Sequence, residues 1–270
     1  AKSGFIPALE NFWNSWAVLR SDIKLIVCGS ATSWMINNLI RNRGGLHNRL
    51  THHLIVKPFS LHECEEYFKT YHFGYSRKQI AECYMVMGGI PYYLSMMDKS
   101  KSLAQNIDQL FFADNAELKD EFSDLYRALF KKSADHIAVV TTLATKGVGM
   151  TRQELVKASG CTDNGAFSTV LEELEQCGFI RLYEPFSTSY KIASDARQKR
   201  NTLYQLVDFY TLFYFRFIKY NKYQDTSFWT SSQNSQMHQI WAGLSFEMLC
   251  LNHIDKIKHA LGISGVQTLV

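Results

Sequence analysis

The stretch IKLIVCGSATSWM, residues 23–35, decides the first part of the fold. A run of mostly apolar residues ends at Gly29-Ser30, and the pattern behind it predicts a helix over roughly 31–40. An apolar run without alternation is typical of a strand that is covered on both faces inside a parallel sheet. Ligand groups in α/β proteins gather where such a strand ends and a helix begins. We therefore expect Ser30 to face a binding crevice, and helix capping by its hydroxyl is the alternative.

A second apolar segment, 54–56, ends at Lys57-Pro58 and predicts a parallel strand that follows the helix. Two strands alone do not make a stable sheet in water. We therefore expect residues 1–59 to be the C-terminal part of an α/β core whose other strands lie upstream of Ala1. An amphipathic pattern over 5–20 predicts one more helix in this part.

Composition indicates a globular chain with large cores. Among 270 residues 46% are hydrophobic and 20% are charged, and the formal net charge is +4. This charge permits a polyanionic partner without requiring one.

The six cysteines form no CxxC pair, which favours reduced thiols and a cytoplasmic protein. No Cys/His spacing fits a zinc site, and the aromatic run 203–218 is too short for a membrane span. No signal peptide is visible, and we interpret the start without Met as a processed end or an internal boundary.

After Pro58 the sequence predicts helices to about residue 132. Ser60-x-x-Glu63 and Ser76-x-x-Gln79 are capping boxes that open the first two. The second helix stops at Gly88-Gly89, and Pro91 begins the next, where its missing N–H costs nothing. We expect 60–132 to be a separate helical unit.

Residues 133–193 predict a winged helix-turn-helix. A helix near 135–145 precedes a third capping box, Thr151-x-x-Glu154, whose helix ends at Gly160. A further helix ends at Gly178, and the segments 179–183 and 189–193 read as the two strands of a wing. A basic linker (194–200), an aromatic helix over 202–220 and an amphipathic helix over roughly 237–261 complete the chain, where we expect a C-terminal domain that continues beyond Val270.

Four local patterns follow one another in order: LIVCGS (25–30), GGLHNRLT (44–51) leading into KPFS (57–60), GGIPYYL (88–94), and YQLVDFYTLFYFRFI (204–218) after the winged helix. Together they resemble the P-loop ATPases of the AAA+/STAND group known as the archaeal ATPase family, and the resemblance covers nearly the whole chain. It implies a partial α/β P-loop core (1–59), a helical lid (60–132), a winged helix (133–193) and the start of a nuclease-like domain (194–270). The implied function is an ATP-dependent switch with ATP and Mg²⁺ as cofactors.

The family's phosphate loop and acidic magnesium strand are missing from this sequence, which contains no Gly-x-x-x-x-Gly-Lys-[Ser/Thr]. Phosphoryl transfer depends on these groups. We therefore expect this chain by itself neither to bind ATP tightly nor to hydrolyse it.

The resemblance also implies roles for single residues. Ser30 matches the sensor position, Arg49 is the arginine-finger candidate with Arg43 as the alternative, and Gly89 and Pro91 match the GxP element that contacts adenine from the lid. The alternatives are a solvated basic loop for the arginines and a plain helix stop and start for Gly89 and Pro91. Glu247, in Gly243-x-x-Phe246-Glu247, resembles a residue of the nuclease-like domain, with an exposed helix residue as the alternative. For Asp208 we expect a cap or a pairing partner rather than a catalytic group.

DNA binding stays open from the sequence. The third helix of the winged helix carries Asp163, Glu172, Glu173 and Glu175 and no Lys or Arg, so it would repel DNA phosphates. The residues that could still contact DNA are Asn164, Ser168 and Thr169 on this helix and Lys191, Arg197, Lys199 and Arg200 at the wing and linker. The alternative to the switch is a non-catalytic adaptor that binds protein or DNA. Self-association and a partner protein are both open.

Overall fold

The computed structural model describes residues 4–29, 35, 39–40, 44–46, 49–130, 132–183, 201–219, 221 and 225–265. The described part is mostly helical, with one small antiparallel sheet of three strands. The helices are α1 (Phe5–Ser15), α2 (Leu61–Thr70), α3 (Arg77–Met87), α4 (Pro91–Ser95), α5 (Leu103–Ile107), α6 (Glu121–Leu129), α7 (Ala134–Lys146), α8 (Arg152–Ser159), α9 (Gly165–Gln176), α10 (Phe209–Phe213), α11 (Phe228–Ser232), α12 (Gln236–Asn252) and α13 (Ile254–Ala260). The strands are β1 (Met150–Thr151), β2 (Ile180–Tyr183) and β3 (Leu203–Leu206).

The two strands predicted at 23–28 and 54–56 are not strands in the structure. Neither segment pairs with a strand among the described residues, and Ile26 and Val56 are 87% and 92% exposed. A strand exists only when a neighbour takes up its backbone N–H and C=O groups, and the described residues offer none here. The strand prediction for these two segments is therefore wrong, and the expected α/β pairing is absent from the described part of 1–59. Most of the helix predicted over 31–40 lies outside the described residues.

The helical unit α2–α6 begins as the sequence predicts. Ser60 and Ser76 each accept a hydrogen bond from the backbone N–H three residues on, and Glu63 and Gln79 complete the two capping boxes. Ser102 and Gln105 form a further capping box at the start of α5, which was not predicted. The helices predicted up to about residue 132 are present as short elements, and a π-helical turn (Asp108–Phe112) continues α5. Their apolar faces pack into one core.

The second unit runs in the order α7, β1, α8, α9, β2, β3. Thr151 and Glu154 form the predicted capping box, and Gly160 ends α8 in the left-handed conformation at φ +73°. The sheet order is β1-β3-β2: β3 lies between the other two strands and is antiparallel to both. The predicted strand 179–183 is confirmed, whereas 189–193 lies outside the described residues.

The predicted aromatic helix over 202–220 is wrong at its start. Residues Leu203–Leu206 pair with β2 and β1, and the helix begins only after Asp208, whose carboxylate accepts a hydrogen bond from the Thr211 N–H at 2.7 Å. Pairing with β1 and β2, which lie earlier in the chain, outweighs the local helix propensity of this segment. The expectation that Asp208 caps a helix is confirmed.

The last elements pack on the first helical unit rather than standing apart. A π-helical turn (Tyr214–Ile218) continues α10, and Phe213 and Phe217 contact the rings of Trp229 and Trp241 from α11 and α12. Asp108 of the first unit accepts hydrogen bonds from the N–H groups of Trp229 and Thr230, at 2.7 and 3.1 Å. The helix predicted over 237–261 is interrupted at His253, between α12 and α13.

Candidate functional site

Residues 88–91, here called the Gly-Pro turn, connect α3 to α4 and lie where several parts of the chain meet. Gly88 ends α3 in the left-handed conformation, and Gly89 also has a positive φ, +72°. The Gly89 carbonyl accepts a hydrogen bond from the Phe59 N–H at 2.8 Å. A Cβ on Gly89 would lie 2.3 Å from the Phe59 carbonyl oxygen, so only glycine allows this close approach.

The other side of the Gly-Pro turn contacts the segment that follows the sheet. A Cβ on Gly88 would touch Phe209, the first residue of α10, at 3.6 Å. The ring of Tyr84, on α3, meets Phe209 edge-on at 5.4 Å and His253 at 5.5 Å. The turn, the connector before α2, the helix after β3 and the junction of α12 and α13 are therefore in one contact network.

The residues predicted to contact nucleotide are only partly within the described chain. Pro91 begins α4 and is exposed, as a residue that contacts a ligand from outside must be, while Gly89 is buried. Arg49 is exposed, and its backbone N–H donates to the Leu46 carbonyl at 3.1 Å. Ser30 and Arg43 lie outside the described residues. Gly89 and Pro91 lie two residues apart in the Gly-Pro turn.

The candidate DNA-reading residues of α9 already have local bonding partners. Asn164 caps the helix, with its Oδ1 accepting from the Phe167 N–H at 3.0 Å. The Thr169 hydroxyl donates to the Gly165 carbonyl at 3.2 Å, and Ser168 is partly buried. Arg152 donates to both the Asp163 carboxylate and the Asn164 carbonyl, which fixes the start of α9. The basic candidates Lys191, Arg197, Lys199 and Arg200 lie outside the described residues.

The outward face of α9 is acidic. Glu172 and Glu175 are exposed. Partial desolvation of the Glu175 carboxylate raises its pKa, and the nearby charge of Glu172 raises it further. Glu173 points inward: its Oε2 lies 2.8 Å from Nε2 of His136, which is buried on α7 and stacks on Phe130. Two carboxylates on the face that would meet DNA disfavour phosphate contact.

A buried polar cluster joins α4, α6 and α10. Tyr93 donates to Glu121 Oε1 at 2.7 Å, and its ring lies 5.5 Å from that of Tyr210. Burial raises the pKa of Asp208 despite its hydrogen bonds to Thr211, and it raises the pKa values of Tyr93 and Tyr210. Tyrosines with raised pKa values stay protonated, and the hydrogen bond from Tyr93 to Glu121 joins α4 to α6.

An apolar groove of about 1360 Å³ lies between α12, the end of α7 and β3. Its α12 wall includes Trp241, which is buried, and Ile240 and Leu244, which are 48% and 55% exposed. Glu247 lies on the same wall and is exposed, which matches the alternative given for it above. The described residues contain no group of three or more His, Cys, Asp or Glu that could hold a metal ion.

Comparison with known proteins gives no match: no family model, no curated protein and no solved structure is similar to this chain. Within the described ranges, every helix is too short or too polar to cross a membrane.

Proposed function

We propose that this chain is the lid and winged-helix part of an ATP-dependent switch of the AAA+/STAND type, with the phosphate loop and the acidic magnesium strand supplied by sequence upstream of Ala1. ATP and Mg²⁺ would bind in that complete protein. Arg49 or Arg43 would stabilise phosphoryl charge, Ser30 would act as the sensor, and Gly89 and Pro91 would meet the adenine. This chain alone would not hydrolyse ATP.

The order of elements in the second unit supports a winged helix. In that fold a short strand between the first two helices joins a β-hairpin that follows the third helix. Here β1 lies between α7 and α8, and β2 and β3 follow α9. The sheet order β1-β3-β2 is the one that this arrangement gives.

The Gly-Pro turn is the observation that carries the proposal. Its Gly89 side is bonded to Phe59, at the end of the segment that leads in from the expected nucleotide core. Its Gly88 side packs on Phe209, three residues after β3 ends. A ligand that moved Pro91 would therefore push directly on the helix that continues the winged-helix sheet, which is the coupling a switch requires.

Reading the coding sequence upstream of Ala1 tests whether the phosphate loop and the acidic magnesium strand precede this chain. We expect a phosphate loop followed by an apolar strand that ends in an acid, and an upstream stop codon or unrelated sequence would refute the proposal. In the longer protein, ATP should then change hydrogen exchange in β3. Gly89→Ala should weaken that response, whereas Gly160→Ala, at an open glycine with a similar φ, should preserve it.

A non-catalytic adaptor is the second candidate, and the acidic outward face of α9 favours it. Glu172 and Glu175 suit a basic protein surface better than DNA. Both candidate functions predict that this chain alone does not bind ATP. Titration of the chain with a fluorescent ATP analogue should therefore show no saturable binding. Micromolar affinity would contradict both.

A further inference from the structure

Two consecutive residues at the C-terminal end of α12 are bonded to different units of the molecule. Asn252 Oδ1 accepts a hydrogen bond from Nη2 of Arg181, on β2, at 2.5 Å. His253 Nε2 accepts one from the backbone N–H of Leu61, the first residue of α2, at 3.0 Å. The end of α12 thus bridges the sheet and the first helical unit, across 192 residues of sequence on the Leu61 side.

The two partners of His253 fix its protonation state. Nδ1 lies 2.9 Å from the Leu249 carbonyl oxygen, which can only accept, so Nδ1 carries a hydrogen. Nε2 faces the Leu61 N–H, which can only donate, so Nε2 carries a lone pair. The imidazole is therefore neutral, with its hydrogen on Nδ1.

Protonation of this ring removes the bond to Leu61, because an imidazolium has two donors and no acceptor. The Leu61 N–H is one of the backbone donors that have no partner inside their own helix at the start of α2. The positive end of the ten-residue helix dipole would also face the new cation. Both effects act in the same direction, toward separation of His253 from α2.

The groups around His253 do not replace the lost acceptor. Tyr84, from α3, contacts the ring edge-on, and Glu63 of α2 is bonded to Ser60 in the capping box and lies in the field of Lys256. The titratable or charged residues linked to this junction are Tyr84 against the ring, Glu63 and Cys64 beside Tyr84, His62 and Lys256 beside Glu63, and Arg181 on Asn252. Cys250 and Asp255 lie within three residues of His253 in the sequence.

We propose that His253 is a pH-sensitive latch: the neutral ring holds the end of α12 on the start of α2, and the protonated ring releases it. The buried side chains of α12, Trp241, Met248 and Leu249, stay packed in the core in both states, so protonation frees only the junction of α12 and α13 from the start of α2. The proposal goes beyond the switch function and holds whether or not nucleotide is involved.

Nuclear magnetic resonance of the ¹⁵N-labelled chain tests the latch without any variant. At the higher of two pH values we expect Nε2 of His253 to be unprotonated and Nδ1 to be protonated, as the hydrogen bonds require, and the Leu61 amide to be protected from exchange. The lower pH is chosen as one at which the ¹⁵N spectrum shows hydrogen on both ring nitrogens. Leu61 protection, corrected for the intrinsic exchange rate, should fall by about fivefold, the equivalent of one ordinary hydrogen bond.

Two variants separate the latch from other titrations. His253→Gln keeps an acceptor that does not titrate, so Leu61 should stay protected at both pH values, whereas His253→Phe keeps the ring contact with Tyr84 and should leave Leu61 unprotected at both. A proton on Nε2 at the higher pH would overturn the proposal. So would the same pH-dependent loss in His253→Gln, or a titration of His253 that leaves Leu61 exchange unchanged.

Discussion

Replacing Gly89 with alanine tests how rigid the Gly-Pro turn is. The new Cβ would lie 2.3 Å from the Phe59 carbonyl oxygen and 2.7 Å from Cε2 of Tyr84, so the connector before α2 has to shift. Holding alanine at φ +72° costs about 1–2 kcal/mol by itself. Loss of the hydrogen bond from Phe59 N–H to the Gly89 carbonyl adds about 0.5–1.5 kcal/mol. We expect the free energy of unfolding to fall by about 1.5–3.5 kcal/mol in total.

Gly160→Ala is the matched control for this experiment. Gly160 has a φ of +73°, and a Cβ there meets nothing within 4 Å. It should therefore lose only the backbone part, about 1–2 kcal/mol. Urea unfolding followed by tryptophan fluorescence and circular dichroism measures both variants. Equal losses would refute the reasoning, because they would mean that Phe59 and Tyr84 move aside freely and that the turn transmits nothing.

Three further predictions concern charge. Glu173→Gln weakens the bond between α9 and the buried His136 and should lower the free energy of unfolding by about 1.5–3 kcal/mol, whereas the exposed Glu172→Gln should stay within about 0.5 kcal/mol in the same urea experiment. Burial lowers the pKa of His238 below 6.5, so the unfolded chain takes up the proton first as the pH falls. The free energy of unfolding should therefore decrease from about pH 6.5 downward. This decrease should be smaller in His238→Phe. Duplex DNA should bind with a Kd no lower than about 10⁻⁶ M at physiological salt, as measured by fluorescence anisotropy. Converting the exposed Glu172 and Glu175 to lysine should raise the affinity. Tight, sequence-specific binding by the unmodified chain would contradict the argument from the acidic face of α9.

Local signals in the sequence predict helix ends well. The capping boxes at Ser60, Ser76 and Thr151 and the proline start at Pro91 are confirmed, because each depends on residues within one turn of the helix. Asp208 likewise caps α10 as expected.

Features that depend on distant partners could not be predicted in the same way. Leu203–Leu206 has the aromatic and apolar content of the helix that follows, and only its pairing with β2 makes it a strand. The acceptor role of His253 is set by a backbone N–H 192 residues away. The close approach of Gly89 to Phe59 has no sequence signal beyond the glycine itself.

The uncovered segments at 23–29 and 50–58 have a practical consequence for anyone who produces this polypeptide. Ile26, Leu54, Ile55 and Val56 combine high β-propensity with almost complete exposure to water. Such runs are templates for edge-to-edge aggregation, and natural proteins protect them with charge, proline or a covering element. Material made as residues 1–270 should therefore precipitate more readily as its concentration rises, and single charged substitutions within these runs should keep it in solution without disturbing the helical core.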